Sequence, residues 1–227
     1  GAAVSKELAS MIDLHGFKVL DVGCGVGGPC RMLAEAFNCN VTGIDLNHEF
    51  IRTAKALSTL VRLDKQTAFL QGDAADLPFE NNSFDAVWTQ HAQMNIADKQ
   101  KLYTGIHRVL KGGGNFLYYD IFRKTNEAVS YPMPWADDPV ISHLFTTAEM
   151  HAILTGLGFS LITSADQTKA GISFFENSFD KTGQSSLPAL NLSVLMGTSA
   201  KAKLVSLKEH LDKGILMPGS GVYQKRA

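Results

Sequence analysis

The segment Asp21-Val22-Gly23-Cys24-Gly25-Val26-Gly27-Gly28 joins an apolar run to an amphipathic one. Gly23, Gly25 and Gly28 satisfy the spacing GxGxxG, in which glycines allow positive φ and let a ligand touch the main chain. Alone that match is weak, because glycine-rich turns also close with no ligand in them. Two further carboxylates stand where later strands should end. Asp45 lies about 20 residues past the glycines, where a carboxylate can accept both hydroxyls of a ribose. Asp73, in Gly72-Asp73-Ala74, is placed to accept an exocyclic amine of adenine, with Ala74 or its N–H against a ring nitrogen. Each acid alone also reads as a solvated loop residue or a helix cap. Three at successive strand ends mark a ligand edge, since open α/β sheets bind there.

Asp21 discriminates between ligands. A dinucleotide sets its pyrophosphate on the helix N-terminus, where the dipole supplies roughly half a positive charge. A carboxylate at the mouth of that turn repels phosphate. S-adenosylmethionine carries no phosphate and presents an ammonium and a sulfonium, which an acid attracts. The acids therefore favour the methyl donor over a nicotinamide cofactor. A second cluster, Gln90-His91-Ala92-Gln93-Met94-Asn95, follows the fourth expected strand. His91 could orient or deprotonate an acceptor, because an unperturbed imidazole titrates near neutrality. His91 and Asn95 read equally as groups that hydrogen-bond loop backbone. The other histidines, His15, His48, His107, His143, His151 and His210, have no acid or thiol at catalytic or metal spacing and are expected on surfaces or helix faces.

The elements that must position these groups alternate between strand and helix, which implies βαβ units and a mainly parallel sheet. Strands are expected at 17–22, 40–45, 67–71, 84–89 and 115–121, with Gly112-Gly113-Gly114 breaking the helix before the fifth. The helix from Gly28 to Phe37 carries Cys30, Leu33 and Phe37 on one face. Asn47 and Asp98 cap the next two helices. Beyond Phe122 the rhythm changes. Residues 122–145 hold Tyr131, Pro132, Met133, Pro134 and Trp135 with no regular period. The aromatic stretch from Tyr118-Tyr119 to Trp135 is the expected acceptor wall, by cation–π contact, by stacking, or as simple packing. A helix from Thr147, a strand at 159–163, helices over 169–213 and a closing strand over 214–224 follow. Ser173-Phe174-Phe175-Glu176 and a helix around Leu190–Met196 are expected to complete the acceptor pocket, with Met196 as core filler. One domain over 1–227 is the reading, with 17–121 as cofactor core and 122–145 and 169–213 as lid.

Composition bounds the answer. Hydrophobic residues are 45% and charged residues 19%, which excludes a disordered chain and predicts a large core. Lys and Arg number 21 against 22 Asp and Glu, a net charge of −1, so no basic field points to nucleic acid. No apolar run nears the roughly 20 residues of a membrane span, so stable insertion is not expected. Cys24, Cys30 and Cys39 form neither a disulfide framework nor a zinc pattern, and a reducing, cytoplasmic setting is expected. The oligomeric state is left open, a homodimer included.

These motifs resemble those of the class I S-adenosylmethionine-dependent methyltransferases. VLDVGCGVGGPCRMLA at 19–34 is similar to their glycine-rich first motif. VTGIDLN (41–47), GDAADLPFENNSFDAVWTQH (72–91) and HRVLKGGGNFLYYDI (107–121) resemble the later motifs in order and spacing. The likeness spans roughly residues 17–165 and is nearest the small-molecule group that includes the ubiquinone/menaquinone, tocopherol and sarcosine/dimethylglycine enzymes. It implies a Rossmann-like, doubly wound α/β fold: a seven-stranded sheet, mainly parallel, with an antiparallel last strand and a helical, aromatic lid. It also implies roles. Gly23, Cys24 and Gly25 would line the methionine part with Asp21 beside its ammonium. Asp45 would bind the ribose, Leu46 would pack on adenine, Gly72, Asp73 and Ala74 would hold its edge, and Gln90 would offer a backbone carbonyl. Two departures stand out. Leu110-Lys111-Gly112-Gly113-Gly114 has glycine where relatives have proline, which loosens a turn. Only 16 residues precede Phe17, so either the N-terminal lid is reduced or the true N-terminus lies outside this sequence. The expected activity is methyl transfer from S-adenosyl-L-methionine to a small-molecule acceptor. The alternatives are an NAD(P)-dependent oxidoreductase and a non-catalytic S-adenosylmethionine-binding protein on the same fold.

Overall fold

A computed structural model describes residues 2–180 and 193–227. Its centre is a seven-stranded sheet in the order β3-β2-β1-β4-β5-β7-β6. The strands are β1 (Lys18–Val22), β2 (Asn40–Asp45), β3 (Thr67–Gln71), β4 (Phe84–Gln90), β5 (Leu110–Arg123), β6 (Phe159–Asp166) and β7 (Leu216–Lys225). The first five pair in parallel, and β7 runs antiparallel to both β5 and β6, as expected. The helices are α1 (Ala2–Ala9), α2 (Gly28–Phe37), α3 (His48–Leu60), α4 (Lys99–Val109), α5 (Thr147–Gly156), α6 (Thr168–Asp180), α7 (Ser193–Met196) and α8 (Ala200–Asp212).

The central strands are apolar almost throughout because both of their faces are covered. Leu20, Val22, Val87, Phe116 and Tyr118 face one side and pack with Leu102 and Ile106 of α4 and Met150 and Leu154 of α5. Val19, Val41, Trp88, Leu117 and Tyr119 face the other, under Leu8 of α1, Leu33 of α2 and Ile51 of α3. A third cluster joins Ile121 and Leu216 to Met94, Met133, Phe175 of α6, and Leu207 and Leu211 of α8. The 122–145 insertion and the late helices, the segments expected to form a lid, thus pack against each other on the sheet. The part of the expected lid that falls on 181–192, including the start of the helix expected around Leu190–Met196, lies outside the described residues.

The glycine triplet departs from expectation. Helix α4 ends at Val109 and Gly112-Gly113-Gly114 lie inside β5. Pairing with β4 jumps from Phe84↔Leu110 to Ala86↔Asn115, so two steps on β4 face five on β5. The surplus residues form a bulge, with Gly113 at φ +77° and Gly114 against the carbonyls of Lys111 and Asp85. Glycine here serves a bulge in a strand rather than a break before one.

Beneath the segment that follows β4 lies a buried polar knot. Both oxygens of Asp120 accept from Gln93, from its N at 3.1 Å and its Nε2 at 2.8 Å. The same Nε2 donates to Thr89 Oγ1 at 2.9 Å, and the Tyr103 hydroxyl donates to Gln93 Oε1. Thr89, Gln93, Tyr103 and Asp120 are all fully buried. Burial pushes the Asp120 carboxyl up to about 7, against the hydrogen bonds from Gln93. A carboxyl whose folded pKa lies above its unfolded value stabilises the fold at low pH, and that stabilisation is lost as pH rises through the folded value. Asp21, also buried, is raised to about 7 as well. Stability should therefore fall between about pH 4 and pH 7, by on the order of 1 kcal/mol per pH unit for each such carboxyl. Asp120→Asn should be less stable overall and visibly shallower in that slope. Urea midpoints from pH 4.5 to 8 check this, and parallel profiles for the two proteins would contradict it.

Candidate functional site

The strand order sets the ends of β3, β2, β1 and β4 side by side, and the expected ligand residues lie at those ends. Between β1 and α2 the chain turns with Gly23, Gly25 and Gly27 all left-handed, at φ +77°, +52° and +74°. Each has its own reason to lack a side chain. A Cβ on Gly23 would sit 2.4 Å from that of Ala92, and one on Gly27 would sit 2.6 Å from the Phe69 ring. At Gly25 a Cβ would meet nothing within 4 Å, so its backbone faces open space. Gly28, the third glycine of the expected fingerprint, begins α2 without a positive φ and with open space around it. The working triplet is 23, 25 and 27. The spacing motif missed Gly27, although its place just ahead of the helix start was a signal.

Asp45 ties two of these turns together. One oxygen accepts from Gly25 N at 2.8 Å and the other from Asn47 N at 2.9 Å. A carboxylate offers about four acceptor positions, so two remain for hydroxyl donors. Leu46 beside it is 71% exposed, an apolar side chain with nothing over it among the described residues. Gly72 donates to the Asp45 carbonyl at 3.0 Å, which brings the end of β3 alongside. Asp73 is exposed and uses Oδ1 to accept from Ala75 N at 2.8 Å, and Ala74 packs inward on the core. Cys24 is buried beneath the turn, where a Cβ on Gly43 would sit 2.7 Å from its sulfur. Arg31, near Gly27, directs its guanidinium at the Ala54 carbonyl (3.5 Å).

Asp21 is not at the mouth of the turn. It points to the helix-covered side and is buried, with the Cys30 thiol donating to Oδ2 at 3.1 Å. Desolvation raises its pKa to about 7; the Cys30 contact opposes the shift and the charge on Asp45 adds to it. It presents no open anion, which is the correction to the sequence expectation. The reason is strand alternation: Asp21 shares the face of Val19, which α1, α2 and α3 cover.

At the end of β4, Gln90 accepts through Oε1 from Ser5 Oγ of α1 at 2.8 Å, so the short N-terminal helix is docked on this edge. His91 is left-handed at φ +56°. Its N donates to the Tyr119 carbonyl at 2.9 Å, and its ring meets Tyr119 edge-on, 5.2 Å between centroids. The ring keeps a solvent-exposed face, yet the protein packed around it pushes its pKa down to about 4. Asn95 donates to the carbonyls of Trp135 (2.9 Å) and Ile141 (3.1 Å). It therefore secures the insertion, as its backbone-bonding reading had it. Lys99 donates to the His143 carbonyl at 2.8 Å.

The aromatic stretch expected to form one acceptor wall is divided between different clusters. Tyr118 faces the side opposite to Tyr119 and belongs to the core with Phe116 and Phe122, so consecutive strand residues cannot share one wall. Tyr131, Met133 and Trp135 do cluster with Met94 and Phe175, whereas Phe174 is half-exposed. The Trp135 indole donates to Ser142 Oγ at 2.9 Å. Met196 is part-exposed, and its carbonyl accepts from Lys203. Of the remaining histidines, His210 is buried and bonded to Ser130 N at 3.1 Å. No group of three metal-ligating side chains occurs among the described residues. Sequence reasoning also passed over Asp120 and Tyr103. An acid inside the apolar run NFLYYDI was the available signal.

Residues 20–118 match the family model described as a methyltransferase domain. The sterol 24-C-methyltransferase ERG6 of Saccharomyces cerevisiae is 34% identical over 160 residues, which are 67% of this chain and 41% of that protein. The cycloartenol-C-24-methyltransferase of Arabidopsis thaliana is 44% identical over 105 residues, 46% of this chain and 31% of that one. The chain thus spans less than half the length of these curated relatives. Among solved structures, the geranyl diphosphate C-methyltransferase of Streptomyces coelicolor superposes with a TM-score of 0.80 at 18% identity, covering 99% of this chain and 78% of its own. That last likeness speaks for the fold alone. The fold and the order of the strand-end motifs agree with the family match, and residues 20–118 of this chain form a methyltransferase domain.

Proposed function

We propose that this chain transfers a methyl group from S-adenosyl-L-methionine to a small, largely apolar acceptor. The observation that carries the reading is the row of strand ends: an open glycine backbone at Gly25, Asp45 with two free acceptor positions, and the bare Leu46 beside exposed Asp73. A ligand with a polar head, a ribose and an adenine matches that sequence of surfaces. Gly23, Cys24 and Gly25 hold the head by main chain, Asp45 the ribose, Leu46 the adenine face, and Gly72, Asp73 and Ala74 its edge. The Gln90 carbonyl is taken to receive the ammonium. Asp21 acts from beneath the turn, where an approaching ammonium would lower its pKa and draw out its charge. We assign 17–121 to the donor, and 122–145 with the described part of 169–213 to the acceptor.

When bound, the donor supplies a sulfonium whose methyl is displaced in line, so alignment is the main contribution asked of the protein. Part-exposed Tyr131 and Trp135, packed over buried Met94 and Met133, bring apolar rings to the same edge, and the Trp135 N–H is already satisfied. That favours an acceptor with little polar surface, and the named sterol C-methyltransferases are in keeping with it. The protein packed around His91 lowers its pKa below that of a free imidazole, which favours the neutral ring. It suits orientation of an acceptor that needs no prior deprotonation, such as a free amine or an electron-rich carbon. The buried, unpaired thiols favour a reducing, cytoplasm-like setting.

Calorimetric titration with S-adenosylhomocysteine and with NADH tests the donor. The first should bind and the second should not, and the reverse result would sink the proposal. Asp45→Ala should weaken S-adenosylhomocysteine by roughly 10-fold or more, the scale of a lost hydrogen bond to a charged group; unchanged affinity would remove Asp45 from the ribose site. His91→Ala should lower turnover on an acceptor found by screening amines and apolar alkenes while leaving donor affinity intact. Full turnover in that variant ends the case for His91.

A further inference from the structure

A cavity of about 360 Å³ lies between α5 and the strands β5, β7 and β6. It is on the far side of the sheet from His91 and Tyr119, because it opens against Tyr118, the next residue along β5. Two glycines of β7 shape this face. A Cβ on Gly219 would press on the Phe122 ring at 3.0 Å, and one on Gly221 would sit 2.9 Å from the hydroxyl and Cε1 of Tyr118. Without side chains there, the two rings lie down on the sheet and leave room beyond them. Tyr118, Met150, Met217 and Tyr223 form an apolar floor, and exposed Leu161 and Ser164 of the edge strand β6 form the rim.

The polar groups at this floor are unequal. The Tyr223 hydroxyl is held by His151 Nδ1 at 3.0 Å. Tyr118 is only 2% exposed, lines the cavity, and its hydroxyl makes no hydrogen bond among the described residues. The hydroxyl is not among the buried polar atoms left without a partner, so it meets the open space of the cavity, where a ligand acceptor can take its proton in a hydrogen bond. Burial holds the Tyr118 phenol well above its ordinary pKa, and it stays a neutral donor at physiological pH. No Asp, Glu, Lys or Arg lines the cavity, so nothing in it repays the desolvation of a charged ligand.

We propose that this cavity is a second binding site, for an uncharged, mainly apolar molecule carrying one hydrogen-bond acceptor, such as an aromatic ketone, whose oxygen receives the Tyr118 hydroxyl. The site is independent of the methyl donor's and does not rest on the methyl-transfer reading. The test uses the whole chain with ¹³C-methyl methionine and the probe 1-acetonaphthone. Met150 and Met217 methyl signals should shift on titration, while those of Met94 and Met133 at the opposite face should not. Tyr118→Phe, a conservative change, should weaken the probe about 2- to 10-fold, the range of one neutral hydrogen bond. Ser164→Trp, at the exposed rim, should block it without unfolding the chain. Shifts confined to Met94 and Met133, no shift at all, or equal affinity in both variants would each overturn the proposal.

Discussion

Asp45 accepts from Gly25 N with one carboxylate oxygen and from Asn47 N with the other, so the turn after β1 and the start of α3 are fixed relative to each other by one side chain. That constraint reaches further than its two hydrogen bonds. The turn it braces is left-handed at three glycines, a conformation with little local stability of its own. Cys24 within the turn rests on Gly43 one strand away, where any side chain would strike its sulfur. The backbone of Gly25 is thereby held open to solvent rather than collapsed onto its neighbours.

Face alternation does the rest of the positioning. In β1, Leu20 and Val22 turn to α4 and α5 while Asp21 turns to α2, which buries the acid that would otherwise guard the turn. In β5, Tyr119 supports His91 while Tyr118 serves a cavity on the other side. Adjacent residues of a strand thus take part in sites that share no surface, and a motif read as a string of letters merges them.

What was legible in the sequence follows from that physics. The strand–helix alternation and the caps at Asn47 and Asp98 were readable because each has a local signature, whereas the antiparallel direction of the closing strand came from the family resemblance. The order of the motifs also located the strand ends that form the candidate site. What was not legible depended on the third dimension. Gly28 and Gly27 are both glycine, and only φ tells which one the turn requires. The bulge at Gly112–Gly114 is set by the length mismatch between β4 and β5, which neither strand reveals alone. The burial of Asp21 and His210 depends on which helix covers them.

The site's least comfortable residue is His91, whose left-handed backbone is costly for a side chain with a Cβ, on the order of 1 kcal/mol. Such strain persists only where neighbours over-determine it, and they do so here. Its N–H is taken by Tyr119, Ala92 is packed on Gly23, and the next residue, Gln93, is clamped by Asp120 and Tyr103. Two residues later Asn95 grips the backbone of the aromatic insertion. The post-β4 segment therefore joins the glycine turn, the sheet core and the lid through consecutive side chains. A shift of any one partner has to pass through it, which makes this short strained stretch the mechanical link between the glycine turn and the 122–145 insertion.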